Sequence, residues 1–217
     1  MKVLVLRPQP GADETAARAR AIGLEPVVAP LFAIRALAWS PPDASEFDAV
    51  LLTSANAARH GGDGMTPFMR LPCYAVGERT ADAARAAGFA DVRTGPSDGA
   101  ALVAMARQEG AEALLHLGGR DHVALDGVAR IPVYAAEAAG ALPTDAERAV
   151  VLIHSARAAA RFADLAGDRR GAFRIAAISA EAAAAAGPGW RTMAIAAAPR
   201  DQALLELAAK LCQTAGA

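Results

Sequence analysis

The chain has 217 residues, 54% of them hydrophobic, 21% charged and 5% aromatic, with a formal net charge of −1. That length suits one large or two small domains of roughly 100–150 residues, enough to bury a core without disulfides or metal. The composition excludes a disordered chain, a collagen-like repeat and a disulfide scaffold, and the charge offers none of the basic face of a nucleic-acid binder.

About 60 residues are alanine, and every basic residue except Lys2 and Lys210 is arginine. Both biases read first as a GC-rich genome. Cys73 and Cys212 stand in unrelated contexts, which predicts a reducing cytoplasm. The opening Met1–Leu6 is too short for a secretory segment, and runs such as Ala182–Ala186 fall far short of the roughly 20 apolar residues of a membrane span.

In chain order, Val3–Leu6 reads as a buried parallel strand stopped by Arg7-Pro8. Asp13 opens a helix over Glu14–Ile22, ended by Gly23, and Pro26–Pro30 holds a second strand. Strand Ala49–Leu52 leads to a helix from Ala55, and strand Cys73–Val76 to a helix over Arg79–Ala87 closed by Gly88. A helix over Gly99–Gln108 behind a Ser97 cap precedes strand Ala113–Leu117. Then come strands Val133–Ala136 and Val150–Ile153, helix Ala156–Ala166, strand Phe173–Ile178, helix Glu181–Ala186, strand Thr192–Ile195 and helix Gln202–Gln213. Short apolar strands alternating with helices define an α/β class with parallel sheets covered on both faces.

The chain also echoes itself. Val50-Leu51-Leu52-Thr53-Ser54-Ala55 is matched by Val151-Leu152-Ile153-His154-Ser155-Ala156, and Ala75-Val76-Gly77-Glu78 by Ala177-Ile178-Ser179-Ala180. Two strand–turn–helix units recurring in order predict two similar α/β domains facing a cleft. In open α/β sheets ligands sit beyond the carboxyl ends of strands. Those ends are Thr53-Ser54, Gly77-Glu78, Gly118-Gly119-Arg120, His154-Ser155 and Ser179. Small polar residues there leave helix-start amides for a carboxylate or phosphate, although plain N-capping by Ser and Thr explains each one singly.

Absent motifs narrow the chemistry. There is no G-x-G-x-x-G after a strand, no P-loop, no G-x-S-x-G, and no metal-ligand spacing among His60, His116, His122 and His154. His116 reads as a core residue with its hydrogen bonds met; His122 follows Arg120-Asp121 in a loop.

The ordered series of motifs resembles the uroporphyrinogen-III synthase family over essentially the whole chain. It comprises Val5-Leu6-Arg7-Pro8 with Gly11 and Glu14, Leu52–Ala57, Ala75–Ala81 followed by Ala87-Gly88-Phe89, Val133-Tyr134 with Glu137, and Ile153-His154-Ser155. The sequence departs from the family pattern at Gly118-Gly119, Ala156, Ser179 and Ala182.

The resemblance implies two parallel-sheet α/β domains joined by a two-stranded antiparallel linker: domain one over 1–34 plus 136–217, domain two over 38–131, linkers near 34–37 and 132–135. It implies cyclisation of hydroxymethylbilane to uroporphyrinogen III with loss of water and inversion of ring D, with no metal or organic cofactor. The partner would be this small molecule, with no nucleic acid and no membrane, and with transient contact to hydroxymethylbilane synthase. The eight substrate carboxylates would be bound by Arg7, Thr53, Ser54, Asn56, Gly77, Thr80, Arg120, Ser155 and Ser179. Tyr134, on the returning linker, would be the proton donor, since a phenol is protonated at neutral pH. A non-catalytic two-domain binding protein for an anionic small molecule is the competing expectation.

Overall fold

The computed structural model describes residues 1–95, 98–122 and 124–213. In chain order the elements are β1 (Lys2–Val5), α1 (Gly11–Ala21), β2 (Glu25–Val28), β3 (Phe32–Ala36), β4 (Ala49–Leu52), α2 (Ala55–His60), β5 (Cys73–Val76), α3 (Gly77–Ala87), β6 (Val92–Gly95), α4 (Gly99–Gln108), β7 (Leu114–Gly119), β8 (Ala129–Ala138), β9 (Val150–Ile153), α5 (Ala156–Ala166), β10 (Arg174–Ala177), α6 (Ala180–Ala186), β11 (Thr192–Ile195) and α7 (Asp201–Gln213). They fall into two units, Met1–Ala33 with Ala138–Ala217, and Ile34–Glu137.

The first unit carries a sheet in the order β11-β10-β9-β1-β2, every pairing parallel. The second carries β3-β8-β7-β4-β5-β6, parallel from β8 to β6. At its edge the Leu37 amide donates to the Val133 carbonyl, and the Ala139 amide donates to the Leu31 carbonyl, so β3 and β8 run in opposite directions. Set side by side, β2-β1-β9-β10-β11 and β8-β7-β4-β5-β6 are the same order with the chain entering at a different strand. That is the structural form of the sequence echo: β4 and β9 are counterparts, as are β5 and β10.

Strands β4 and β9, at the centre of the two sheets, are apolar and buried at every position because both sheet faces are covered. Successive side chains of a strand point to opposite faces. In β4, Val50 and Leu52 join one buried cluster with Leu115, Leu117 and Val133, while Ala49 and Leu51 join another with Tyr74 and Leu102. In the first unit Val3, Val5, Val150 and Leu152 bury against Ala12, Ala19, Leu204 and Leu205. Alanine on the inner helix faces, such as Ala158, Ala159, Ala163 and Ala166 of α5, lets helices lie close to the sheet and to one another.

Several boundaries differ from expectation. The first helix starts at Gly11, before Asp13, with Asp13 and Glu14 in its first turn where the helix dipole favours them. The cap of α4 is Asp98, whose carboxylate accepts from the Ala101 amide at 2.8 Å; the expected Ser97 lies outside the described residues. Phe32–Ala36 is a strand, as is Val92–Gly95, and β8 extends over ten residues. Among the described residues no helix is long and apolar enough to cross a membrane.

Candidate functional site

Strand order reverses between β4 and β7 in the second unit and between β1 and β9 in the first. In such sheets the carboxyl ends at the reversal form the natural ligand crevice.

In the second unit, β4 ends at Thr53-Ser54. Ser54 caps α2, its hydroxyl accepting from the Asn56 amide at 3.2 Å. The Thr53 hydroxyl lies 2.9 Å from His116 Nε2 and 3.2 Å from His122 Nε2. The two imidazoles meet edge-on with centroids 5.0 Å apart. His116 is fully buried, and burial, with the nearby charges of His122 and Arg130, pushes its pKa down to about 4. The expectation of a fully satisfied core histidine fails by one atom: Nδ1 is buried and has no partner.

A bulge at Gly118/Gly119 brings Tyr134 beside Gly119. The Arg120 amide donates to the Tyr134 carbonyl at 2.8 Å. Arg130 donates to the Gly119 and Arg120 carbonyls at 2.7 and 2.6 Å, clamping the turn after β7. The Tyr134 ring lies so close over Gly119 that a Cβ there would fall 2.8 Å from Cζ. Arg120 itself is half exposed, 3.8 Å from Asp121.

At the start of α3, Gly77 takes φ +68°, a left-handed value suited to glycine, and Val76 provides no side-chain cap. The first-turn amides of α3 are thus left without a side-chain cap. Thr80 is buried one turn in, whereas Arg79 is exposed and lines a groove of about 560 Å³ between α2 and α3 together with Arg59 and Asp82.

In the first unit, the Arg7 guanidinium lies over Gly11 at the start of α1, where a Cβ would fall 2.7 Å from Nε. Arg7 donates to the Thr15 hydroxyl at 3.2 Å, and Thr15 donates to Asp201 at 2.9 Å. Arg18 and His154 reach the same carboxylate at 2.6 and 2.8 Å. Burial works to raise the Asp201 pKa, but the hydrogen bonds from His154, Arg18 and Thr15 outweigh it and hold the carboxyl well below its ordinary range. Ser155 and Ser179 cap α5 and α6, accepting from the Ala158 and Ala182 amides at 3.2 Å each.

Of the residues singled out from sequence, Thr53, Ser54, Asn56, Gly77, Arg120 and Tyr134 therefore gather along the carboxyl edge of the second sheet, with Thr80 buried behind them. Arg7, Ser155 and Ser179 occupy the carboxyl edge of the first. The three serines spend a lone pair on capping, but their hydroxyl hydrogens remain to donate. Sequence reasoning missed the Asp201–His154–Thr15 cluster and the tie from His116 to Thr53. The signal for the first was His154 itself, a polar residue closing an apolar strand. Among the described residues no group of three or more His, Cys, Asp or Glu is placed to hold a metal ion.

These features define a two-unit doubly wound α/β protein, each unit gathering polar groups at the carboxyl edge of its own sheet. The sequence matches the family described as uroporphyrinogen-III synthase HemD over residues 13–206, and the chain belongs to that uroporphyrinogen-III synthase family. Among solved structures it is similar to the uroporphyrinogen-III synthetase of Helicobacter pylori 26695, with 17% identity over 97% of this chain and 98% of that one and a TM-score of 0.64. It is also similar to a mutant uroporphyrinogen III synthase of the extremely thermophilic bacterium Thermus thermophilus, with 16% identity, 99% of each chain covered and a TM-score of 0.53. At these identities the likeness is one of fold. No curated protein sequence matches the chain significantly. The activity is that of a lyase of tetrapyrrole biosynthesis, cyclising hydroxymethylbilane to uroporphyrinogen III with ring D inverted and water lost.

Proposed function

We propose that in this reaction Tyr134 donates the proton that lets the ring A hydroxyl leave as water, and that the carboxylates of the bilane are received by strand-end hydroxyls and helix-start amides. Loss of water leaves a methylene-pyrrolenine on ring A. The far end of the chain attacks it at a substituted carbon, and the resulting spiro intermediate fragments and recloses with ring D turned over. The pyrroles supply the electron push, so the protein's share is to curl the substrate and place one proton. Orientation of this kind contributes up to roughly 7–11 kcal/mol in favourable cases.

The observation that carries this reading is the position of Tyr134 at the carboxyl edge of the second sheet, its ring seated on Gly119 and its hydroxyl without a hydrogen bond to any described residue. Ser54, Asn56, Thr53 and the uncapped start of α3 lie along the same edge, and Arg7, Ser155 and Ser179 are their counterparts in the first unit. Arg120 and Thr80 support the set as a neighbouring charge and a fixed first turn. The unstable bilane would pass from hydroxymethylbilane synthase by transient contact in the cytoplasm.

Single-turnover measurements on fresh hydroxymethylbilane test the assignment. Tyr134→Phe should slow turnover roughly 10–100-fold while the product remains the III isomer. A Phe variant running at the wild-type rate removes Tyr134 from the chemistry.

A further inference from the structure

The Thr53 hydroxyl sits between two imidazole nitrogens, 2.9 Å from His116 Nε2 and 3.2 Å from His122 Nε2. It has one hydrogen to give and two lone pairs to offer, so its direction depends on its neighbours. His116 decides it. Its ring is fully buried and lies against the Gly118 backbone, where a Cβ would fall 2.7 Å from Cε1. Its depressed pKa of about 4 keeps it neutral at pH 7, so it carries a single N–H. Nδ1 is buried without a partner. A hydrogen on Nδ1 would strand a buried donor; a hydrogen on Nε2 is used on Thr53 and leaves only a lone pair bare. Stranded buried N–H groups are the rarer defect, and an unmade buried hydrogen bond costs about 1–3 kcal/mol.

We propose that His116 is a positioning residue whose Nε2–H occupies the Thr53 oxygen and so turns the Thr53 hydroxyl hydrogen outward as a committed donor to a carboxylate of the substrate. His122 Nε2 accepts that hydrogen when no substrate is bound, and the carboxylate takes its place. A carboxylate can only accept, so a hydroxyl whose hydrogen is already directed outward meets it by exchanging His122 for the carboxylate, with the bond from His116 kept. The proposal rests on the reading of Thr53 as a substrate receptor.

Two measurements decide it. Ring-nitrogen NMR of the wild-type protein at neutral pH should show His116 as the Nε2–H tautomer; an Nδ1–H tautomer overturns the proposal without any variant. In steady-state kinetics, His116→Phe keeps a planar ring but no donor, and should raise KM for hydroxymethylbilane about tenfold with kcat within about twofold, the loss of one hydrogen bond to a charged group. Thr53→Val should do the same, the double variant should be no worse than either, and His116→Gln, whose amide can donate from a similar position, should recover most of the loss. Additive KM effects, or His116 variants silent while Thr53→Val is impaired, overturn the positioning role and leave the receptor reading standing. Thr53→Val and Ser54→Ala both silent would overturn the two together.

Discussion

His154 Nε2 lies 2.8 Å from Asp201 Oδ1, tying the end of β9 to the first residue of α7. The same carboxylate accepts from Thr15 and Arg18 of α1, with Arg7 Nη1 at 3.8 Å. One side chain thus joins both strands that flank the reversal point of the first sheet, and its place in the first turn of α7 adds the favourable end of that helix dipole.

Removing that charge while keeping the volume should therefore loosen the first unit. Asp201→Asn is expected to lose about 1.5–3 kcal/mol at neutral pH, the range for hydrogen bonds to a charged group. The sign with pH follows from the depressed folded pKa. The contribution is fully present above the ordinary value of 3.8 and disappears as the pH falls toward the lower folded value. The gap between wild type and variant in urea unfolding should be constant above about pH 5 and close below about pH 4. A gap that persists undiminished in acid would assign the effect to packing instead.

His116 gives a different acid window. Its imidazole titrates near 4 when folded against 6.5 in the free state, so between those values the unfolded chain binds the extra proton and the folded chain does not. Stability should fall as the pH drops through that range, by about 3 kcal/mol when complete. His116→Gln cannot take up the proton. The wild type should therefore lose stability relative to this variant between about pH 7 and about pH 4.5 in urea titrations. Parallel curves would show that the folded protein accommodates the imidazolium.

The capping serines can be separated from the binding serines by choice of replacement. At an N-cap, Ser→Ala costs about 0.5–2 kcal/mol but Ser→Gly only a few tenths. Ser155→Gly should melt close to wild type yet raise KM for hydroxymethylbilane several-fold, because the exposed hydroxyl hydrogen is gone while the cap backbone is kept. Ser155→Ala should show both losses. An unchanged KM in Ser155→Gly would leave Ser155 as a cap and nothing more.

Strands β4, β5, β9 and β11 were legible in sequence to the residue, because each is an apolar run bounded by polar punctuation. Val92–Gly95 was not, and Phe32–Ala36 entered only through the family resemblance, as a linker near 34–37: as half-buried edge strands they carry arginine or glycine and lack that run. The serines at strand ends stood out because each precedes an alanine-rich helix. The two histidine clusters were hidden by distance along the chain: 63 residues separate Thr53 from His116 and 47 separate His154 from Asp201. Nothing in local spacing joins such pairs; only the strand order at the reversal points does, and that order is fixed by tertiary packing.

That same order seats Tyr134 on Gly119, which gives a test independent of the tyrosine hydroxyl. A methyl at position 119 would fall 2.8 Å from Tyr134 Cζ and 3.0 Å from Oη, so the ring must move. The backbone at Gly119 is not left-handed, so alanine brings no conformational strain of its own. Overpacking of this kind costs about 1–3 kcal/mol, and the Arg130 clamp on the Gly119 and Arg120 carbonyls keeps the turn from yielding instead. If the phenol must sit at this point to protonate the departing hydroxyl, Gly119→Ala should slow single turnover about tenfold or more. Combined with Tyr134→Phe it should add almost nothing, because the displaced ring no longer carries the proton. Rates that multiply in the double variant would show that Gly119 serves the reaction through something other than Tyr134.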